Sequence, residues 1–415
     1  MYLVKKMSTY LCIDLKTFYA SVECVERGLD PFKTKLVVAN PTRGKGAVCL
    51  AVTPKMKSLG VRNRCRIYEI PSNIKYIVAM PRMKLYITYA SEIRELYLKY
   101  VAEEDLHIYS IDEAFLDITD YRIYKTSPKN VAKKILDDMY DTFGLTATCG
   151  IGTNMYLSKI ALDLISKSSK DNIGYLDEET FIRDFSYRKP LTDFWQIGNG
   201  IATRLNKLGI HTLYELRMHK EQDLYDEFGS LAEIIIDHAY GKESCTIKDI
   251  KEYKPKSKST SSSQILFKNY KYEEARIVLE EMIDNKILEL YRGNYLISSI
   301  GLYIGYTKDT IPSTKASIKL KVPTRERKVI FAEILSKYDK IASRIEHIRR
   351  IGISFGGLVD RTHEQMSLFP EDSVDSTLNS IKLKYGVNSI LKGISYLECG
   401  TQRYRNTLIG GHNAE

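Results

Sequence analysis

Apolar and polar positions alternate along this chain in two rhythms, and the order of those rhythms outlines an architecture. Residues 9–14, Thr-Tyr-Leu-Cys-Ile-Asp, form a short apolar run of the kind that makes a buried strand. From Thr17 to about Gly28 the apolar spacing turns helical. Met83, Ile87, Ala90, Ile93 and Tyr97 fall on one stripe of a helix predicted over 82–102. Leu106–Ile118 reads as two short strands around a tight turn at Ser110–Glu113. Val131, Ile135, Met139 and Phe143 then mark a helix near 129–143, and Thr146–Gly152 a strand. With residues 30–80 set aside, the order β-α-α-β-β-α-β is close to the split βαβ pattern of a ferredoxin-like sheet.

The set-aside stretch has strands of its own at Lys35–Ala39 and Ala47–Val52, which predicts a small subdomain inserted after the first helix. Residues 173–243 read as short helices only. Lys248–Ser263 is polar, with five lysines, Pro255 and a Ser/Thr run, which is linker composition. Residues 264–360 resume the alternation: Gln264–Phe267, a helix at 272–291, Leu296–Tyr306, Ala316–Val322, a helix at 326–347, and Arg350–Gly356. That predicts a second β-α-β-β-α-β unit. The last 50 or so residues are polar.

A chain of 415 residues has room for two to four domains at roughly 100–200 residues each. Its 44% hydrophobic and 27% charged residues are ordinary for a globular protein and exclude a disordered or fibrous one. No apolar run reaches the ~20 residues of a membrane span, and Met1–Met7 lacks the apolar core of a secretion signal. The seven cysteines form no C-x-x-C pair and mostly sit in apolar runs such as those around Cys12 and Cys49, which fits a reducing cytoplasm. The seven scattered histidines leave carboxylates as the candidate metal ligands. The net charge of +10 suits a polyanionic partner. Much of it is local, because residues 308–361 carry 13 Lys and Arg against 6 Asp and Glu, a surplus of +7. Lys315, Lys319 and Lys321 recur at strand period, which predicts either a face lying along phosphates or a solvated basic face.

Asp14 ends the first predicted strand, and Asp112-Glu113 lie at the hairpin turn. In a ferredoxin-like sheet these strands are neighbours, so three carboxylates can converge at one edge. Successive strand residues face opposite ways, so Asp112 and Glu113 can share an ion only if the turn breaks the pleat. Clustered carboxylates repel unless cations neutralise them. Hard oxygen ligands suit Mg²⁺, and two such ions would clamp the attacking and leaving oxygens of an in-line phosphoryl displacement. Taken singly, the same residues also read as a turn residue and two solvated hairpin residues.

Ile13-Asp-Leu-Lys-Thr-Phe-Tyr-Ala-Ser-Val-Glu23 and Tyr109-Ser-Ile-Asp-Glu-Ala-Phe-Leu-Asp117 closely resemble the two catalytic motifs of Y-family translesion DNA polymerases. The resemblance runs from about residue 8 to 360. It is strongest to the bacterial UmuC-like branch, through Asp193-Phe-Trp-Gln-Ile-Gly-Asn-Gly200 and a Gln-x-x-Leu-Phe tail. It implies an α+β right-hand polymerase: a ferredoxin-like palm in 1–30 and 81–172, small fingers in 31–80, and a helical thumb with a helix-hairpin-helix in 173–243. A linker at 244–263, a β-α-β-β-α-β little finger at 264–360 and a tail at 361–415 complete it.

The resemblance also implies roles. Asp14, Asp112 and Glu113 are the catalytic carboxylates that hold two Mg²⁺ ions, with Mn²⁺ as a substitute, and Leu15 lends a backbone carbonyl. Tyr19 is the steric gate, a ring whose bulk leaves no room for a 2′-hydroxyl, and Phe18 beside it packs inward. Lys57 and Lys159 meet the triphosphate. Pro54 stands where the family commonly has a tyrosine and brings no donor, and Lys57 keeps the charge of an arginine without its fork. Gly198 and Gly200 open a helix whose N–H groups hold a DNA phosphate, while Lys315, Lys319 and Lys321 lie along the backbone. Gln365, Leu368 and Phe369 bind the sliding clamp. The implied protein is a cytoplasmic monomer of the SOS and DNA-repair response that inserts dNTPs on primer-template DNA opposite damaged bases. A nucleotidyl cyclase or two-metal nuclease on a similar palm should lack the gate motif and the basic second unit. A DNA-binding scaffold descended from a polymerase should lose a metal carboxylate.

Overall fold

The computed structural model describes residues 8–121, 126–308, 310–361 and 373–415. The chain forms two compact units, Met1–Tyr253 with His412–Glu415, and Lys254–Gly411.

The first unit opens with β1 (Tyr10–Leu15) and α1 (Phe18–Val25). A three-stranded insertion follows, built from β2 (Leu36–Val38), β3 (Ala51–Val52) with α2 (Pro54–Ser58), and β4 (Ile77–Ala79). The main sheet resumes after α3 (Met83–Tyr97) with β5 (Leu106–Ile108), β6 (Glu113–Asp117), α4 (Pro128–Phe143), β7 (Ala147–Gly152), α5 (Met155–Leu164) and β8 (Ile173–Leu176). The strand order is β5-β6-β1-β7-β8. Its first four strands have the ferredoxin-like order, with β1 between β6 and β7 and antiparallel to both. β8, in a stretch expected to be helical only, pairs parallel with β7 and extends the sheet.

β1 is central because Leu11, Cys12 and Ile13 are fully buried. Gly150 and Gly152 let α5 lie directly on β7, since a Cβ at either would meet the α5 backbone at 2.0 and 2.2 Å. Five short helices continue the unit: α6 (Glu178–Phe185), α7 (Asn199–Lys207), α8 (Leu213–Met218), α9 (Glu221–Phe228) and α10 (Leu231–Ala239). They share an apolar core that includes Phe181, Leu205, Leu224 and Ile235, and α11 (Ile247–Glu252) follows.

The second unit runs β9 (Ser259–Tyr270), α12 (Tyr272–Gly293), β10 (Tyr295–Tyr306), β11 (Thr314–Thr324), α13 (Arg327–Ile341) and β12 (Ile348–Gly356). Its sheet order is β11-β10-β12-β9, so the element order repeats the first sheet while the strand order does not. The expected linker is largely structured: α11 and the first half of β9 occupy it. The Ser/Thr run Ser259–Ser263 pairs with β12, and its alternate residues face solvent, which is why it looks like linker. The polar segment after residue 373 is also ordered. It forms α13's successor α14 (Ser373–Tyr385) and then closes onto α12, where the Thr401 and Gln402 N–H groups donate to Glu281 Oε2 at 2.8 and 3.0 Å.

Candidate active site

The site is built where β1 ends. Leu15 N–H donates to the Asp112 carbonyl (2.9 Å) and Lys16 N–H to the Thr146 carbonyl (2.8 Å), tying the strand end to both neighbours. Thr17 then adopts a left-handed conformation (φ 49°), and Ser21 Oγ donates back to the Lys16 carbonyl (2.7 Å). This tight reversal starts α1 with Phe18 and Tyr19 beside Asp14. Across the sheet, Tyr109 N–H and Ser110 N–H both donate to the Glu113 carbonyl (3.0 Å each). Asp112 therefore lies in the turn, its Oδ1 accepting from Ser110 Oγ (2.6 Å), while Glu113 sits in register opposite Asp14. The pleat is broken between Asp112 and Glu113.

A cavity of ≈ 700 Å³ opens here, lined among others by Asp14, Leu15, Tyr19, Lys57, Asp112 and Lys167. Burial pushes the Asp14 carboxyl up to about 6; Lys167 opposes the rise and the neighbouring Asp112 and Glu113 add to it. The Lys167 ammonium lies 3.6 Å from Asp14 Oδ2. Glu113 is otherwise engaged, with Lys159 Nζ 2.8 Å from its Oε1 and Cys12 Sγ donating to the same oxygen at 3.2 Å. Burial works against the Lys159 ammonium, but Glu113 and Asp163 hold it above the ordinary lysine range. Among the described residues no three carboxylate, imidazole or thiol groups are already gathered as a metal-ligand set, because Glu113 is turned onto Lys159.

The donors nevertheless suit a hard divalent cation. Asp14 is a partly buried carboxylate raised first by desolvation and further by two like charges, and a bound cation offsets both. The same cavity is also lined by the cationic side chains of Lys16, Lys57, Arg64 and Lys167. Burial lowers Lys57, so its ammonium gains from an anionic partner. Carboxylates and cationic side chains lining one cavity match a metal-bound polyphosphate better than either component alone.

Tyr19 is braced from behind. Its ring stacks on Tyr86 at 4.6 Å between centroids, 24° between planes. Tyr86 is fully buried and its hydroxyl donates to Glu23 Oε1 (2.7 Å). Glu23, itself fully buried, receives Arg82 Nε and Nη2 at 3.0 and 2.9 Å, and Arg27 pairs with it from the next helical turn. Those hydrogen bonds outweigh burial and hold the Glu23 carboxyl below its usual range. Phe18 is buried beside Tyr19 and edges the cavity.

Other residues of interest lie as follows. Lys159 is buried behind the cavity on α5 and does not line it, whereas Lys167, which pattern alone did not single out, does. Glu23 and Arg82 also escaped the sequence reading, because 59 residues separate them. Gly198 caps α7 and Gly200 lies in its first turn, both open to solvent. In the second unit Lys315, Lys319 and Lys321 are exposed on one face of β11. That face continues through a small-residue surface of Ser261, Ser263, Gly301, Gly352 and Ser354 around Tyr303, with Lys315 and Arg350 over its ring at 5.9 and 5.3 Å. Gln365, Leu368 and Phe369 lie outside the described residues. No helix among the described residues is long and apolar enough to cross a membrane.

The chain is similar to several known proteins. Residues 13–163 match the impB/mucB/samB family, and residues 257–368 match that family's C-terminal domain. A putative UV-damage repair protein UvrX of Bacillus subtilis (strain 168) is 34% identical over 413 residues, 97% of each chain. DNA polymerase IV 2 of the same organism is 26% identical over 98% of this chain and 99% of its own. Among solved structures, the Y-family DNA polymerase chimera Dbh-Dpo4(243-245)-Dbh superposes with a TM-score of 0.65 at 24% identity, covering 85% of this chain and 99% of that one. A Dbh ternary complex gives 0.51 at 22% identity, with the same coverage. With a relative this similar over its whole length, and with both family regions matched, the chain belongs to the impB/mucB/samB family, the Y-family of translesion DNA polymerases.

Proposed function

We propose that the chain is a DNA-directed DNA polymerase of translesion synthesis, joining a dNTP to a primer opposite damaged template by phosphoryl transfer. One observation carries the reading: two carboxylates, four cationic side chains and a braced aromatic ring line a single cavity. The enzyme depends on divalent metal. Two Mg²⁺ ions, or Mn²⁺ in their place, supply charge neutralisation at the triphosphate and at the primer 3′-hydroxyl when bound. Asp14, Asp112 and the Leu15 carbonyl are the groups that would hold them, with Glu113 joining once its carboxylate leaves Lys159. Lys57 and Lys167 would neutralise the triphosphate. Lys167 suits this role better than Lys159, whose ammonium is taken by Glu113. Tyr19, stiffened by Tyr86, would lie under the sugar and exclude a 2′-hydroxyl.

Primer-template DNA follows from the same reading. The basic face of β11 and the glycine-rich start of α7 are suited to phosphates without reading sequence. Residues 1–30 and 81–176 would be the palm, 31–80 the fingers, 177–253 the thumb and 259–360 the little finger. Gln365-Met-Ser-Leu-Phe369 would bind a sliding clamp, and the enzyme would work as a cytoplasmic monomer. Primer extension tests the proposal: purified chain, Mg²⁺, dNTPs and an undamaged primer-template should yield elongated primer. Absence of extension at every enzyme concentration would sink it.

A further inference from the structure

An unbroken chain of alternating charge runs behind the cavity. Glu113 Oε1 meets Lys159 Nζ at 2.8 Å; Lys159 meets Asp163 Oδ2 at 3.1 Å; Asp163 Oδ1 meets Lys167 Nζ at 2.7 Å; and Lys167 reaches Asp14 Oδ2 at 3.6 Å. The two ends are candidate metal ligands on neighbouring strands, in register with each other. The three middle members come from one short stretch. Lys159 and Asp163 are one turn apart on α5, and Lys167 follows in the 3₁₀ turn Ser166–Ser168. Glycines at 150 and 152 fix the height of α5 on the sheet, so the spacing of the chain is built into the fold. Asp163 does not line the cavity and touches neither candidate ligand directly, yet both lysines that do so depend on it.

We propose that Asp163 is a positioning residue that divides the two lysines between opposite tasks. It shares Lys159 with Glu113, inside the protein. It also draws Lys167 away from Asp14, whose contact (3.6 Å) is the longest link in the chain, while the Asp163 contact (2.7 Å) is short. Lys167 is half-exposed and borders the cavity, so it can leave Asp14 for a phosphate when a cation occupies that carboxylate, and Asp163 remains its pivot. Lys159, almost wholly buried, has no such freedom. This inference rests on the reading of Asp14 and its neighbours as the metal site.

Electrostatics then gives opposite signs to two substitutions of adjacent partners. Lys167→Gln removes the cation that competes for Asp14 and should tighten metal binding. Asp163→Asn leaves Lys167 with Asp14 as its one remaining carboxylate partner among the described residues and removes a negative charge from the surroundings, so it should weaken metal binding. A merely structural role would move both variants in the same direction. The test is titration of the full chain with Mn²⁺ alone, without DNA or dNTP, followed by electron paramagnetic resonance. Relative to wild type, affinity should rise about threefold in Lys167→Gln and fall about threefold in Asp163→Asn, as expected for partly exposed ion pairs. Asp163→Glu should stay near wild type. In steady-state extension, Asp163→Asn should raise the dNTP KM about fivefold with little change in kcat, and Asp163→Glu should restore it. Shifts of the same sign in the Lys167 and Asp163 variants, or no shift in either, would overturn the role of Asp163. A wild-type chain that takes up no Mn²⁺, or takes it up equally well as Asp14→Asn, would instead overturn the metal-site reading beneath it.

Discussion

Sugar selectivity should depend on a residue that never touches the nucleotide. Tyr86 is fully buried, stacks at 4.6 Å on Tyr19 and donates a 2.7 Å hydrogen bond to the buried Glu23 carboxylate. Replacing it by leucine removes a stacked ring worth about 0.5–1.5 kcal/mol beyond its area and one hydrogen bond to a charged group, about 1.5–3 kcal/mol. It also removes some packed volume, about 1 kcal/mol. Glu23 keeps both arginines, which limits the damage, so Tyr86→Leu should destabilise the first unit by about 4 kcal/mol. Tyr86→Phe keeps the ring and should cost only about 1.5–3 kcal/mol. The two variants separate bracing from stability. If the ring holds Tyr19 in place, Tyr86→Leu should lower discrimination against ribonucleotides about two- to tenfold, the stacking energy expressed as a ratio of kcat/KM. Tyr86→Phe should leave that ratio unchanged. Single-nucleotide incorporation with matched dNTP and rNTP reads the ratio, and urea unfolding reads the stability. Equal loss of selectivity in both variants, or none in Tyr86→Leu, would refute the brace.

Four further outcomes are expected. Asp14, held near 6 in the folded chain against 3.8 ordinarily, binds protons the unfolded chain does not, so metal-free stability falls as pH rises between about 4 and 6; Asp14→Asn should therefore abolish extension yet stabilise the metal-free chain at pH 8 by about 2 kcal/mol, seen in thermal unfolding. By the same sign, Mn²⁺ affinity should drop about tenfold per pH unit below pH 6 as Asp14 takes up its proton. Lys319→Ala should weaken DNA binding about equally on all sequences and reduce the salt slope by about one, checked by fluorescence anisotropy across a salt series. Deleting residues 365–369 should remove stimulation by a sliding clamp in primer extension and leave clamp-free extension intact.

The sheet core and the carboxylate hairpin were legible because they are local: β1 is a run of buried apolar residues, and the turn carrying Asp112 has a distinctive sequence. What the pattern concealed was made by long-range polar contacts or by open faces. The Ser/Thr half of β9 alternates toward solvent, so it carries no hydrophobic signal although it is paired along its length. β8 is four residues with a glycine, too short for periodicity to register. The segment around Thr401 is held by backbone donors to Glu281, 120 residues away. Lys159 and Lys167 are eight positions apart and look alike in sequence. Only the close seat of α5 on β7 shows that the first serves Glu113 and the second faces the cavity.

Asp14, Asp112 and their neighbours are proposed to make a metal-dependent site for copying damaged template. Its most direct test is primer extension on a template carrying a single bulky or abasic lesion, with wild-type chain and Asp112→Ala side by side and DNA affinity measured for both. Wild type should insert a nucleotide opposite the lesion only when Mg²⁺ or Mn²⁺ is present, while Asp112→Ala should bind the same DNA equally well and insert none. Insertion by Asp112→Ala at the wild-type rate, or wild-type insertion in the presence of excess chelator, would contradict it.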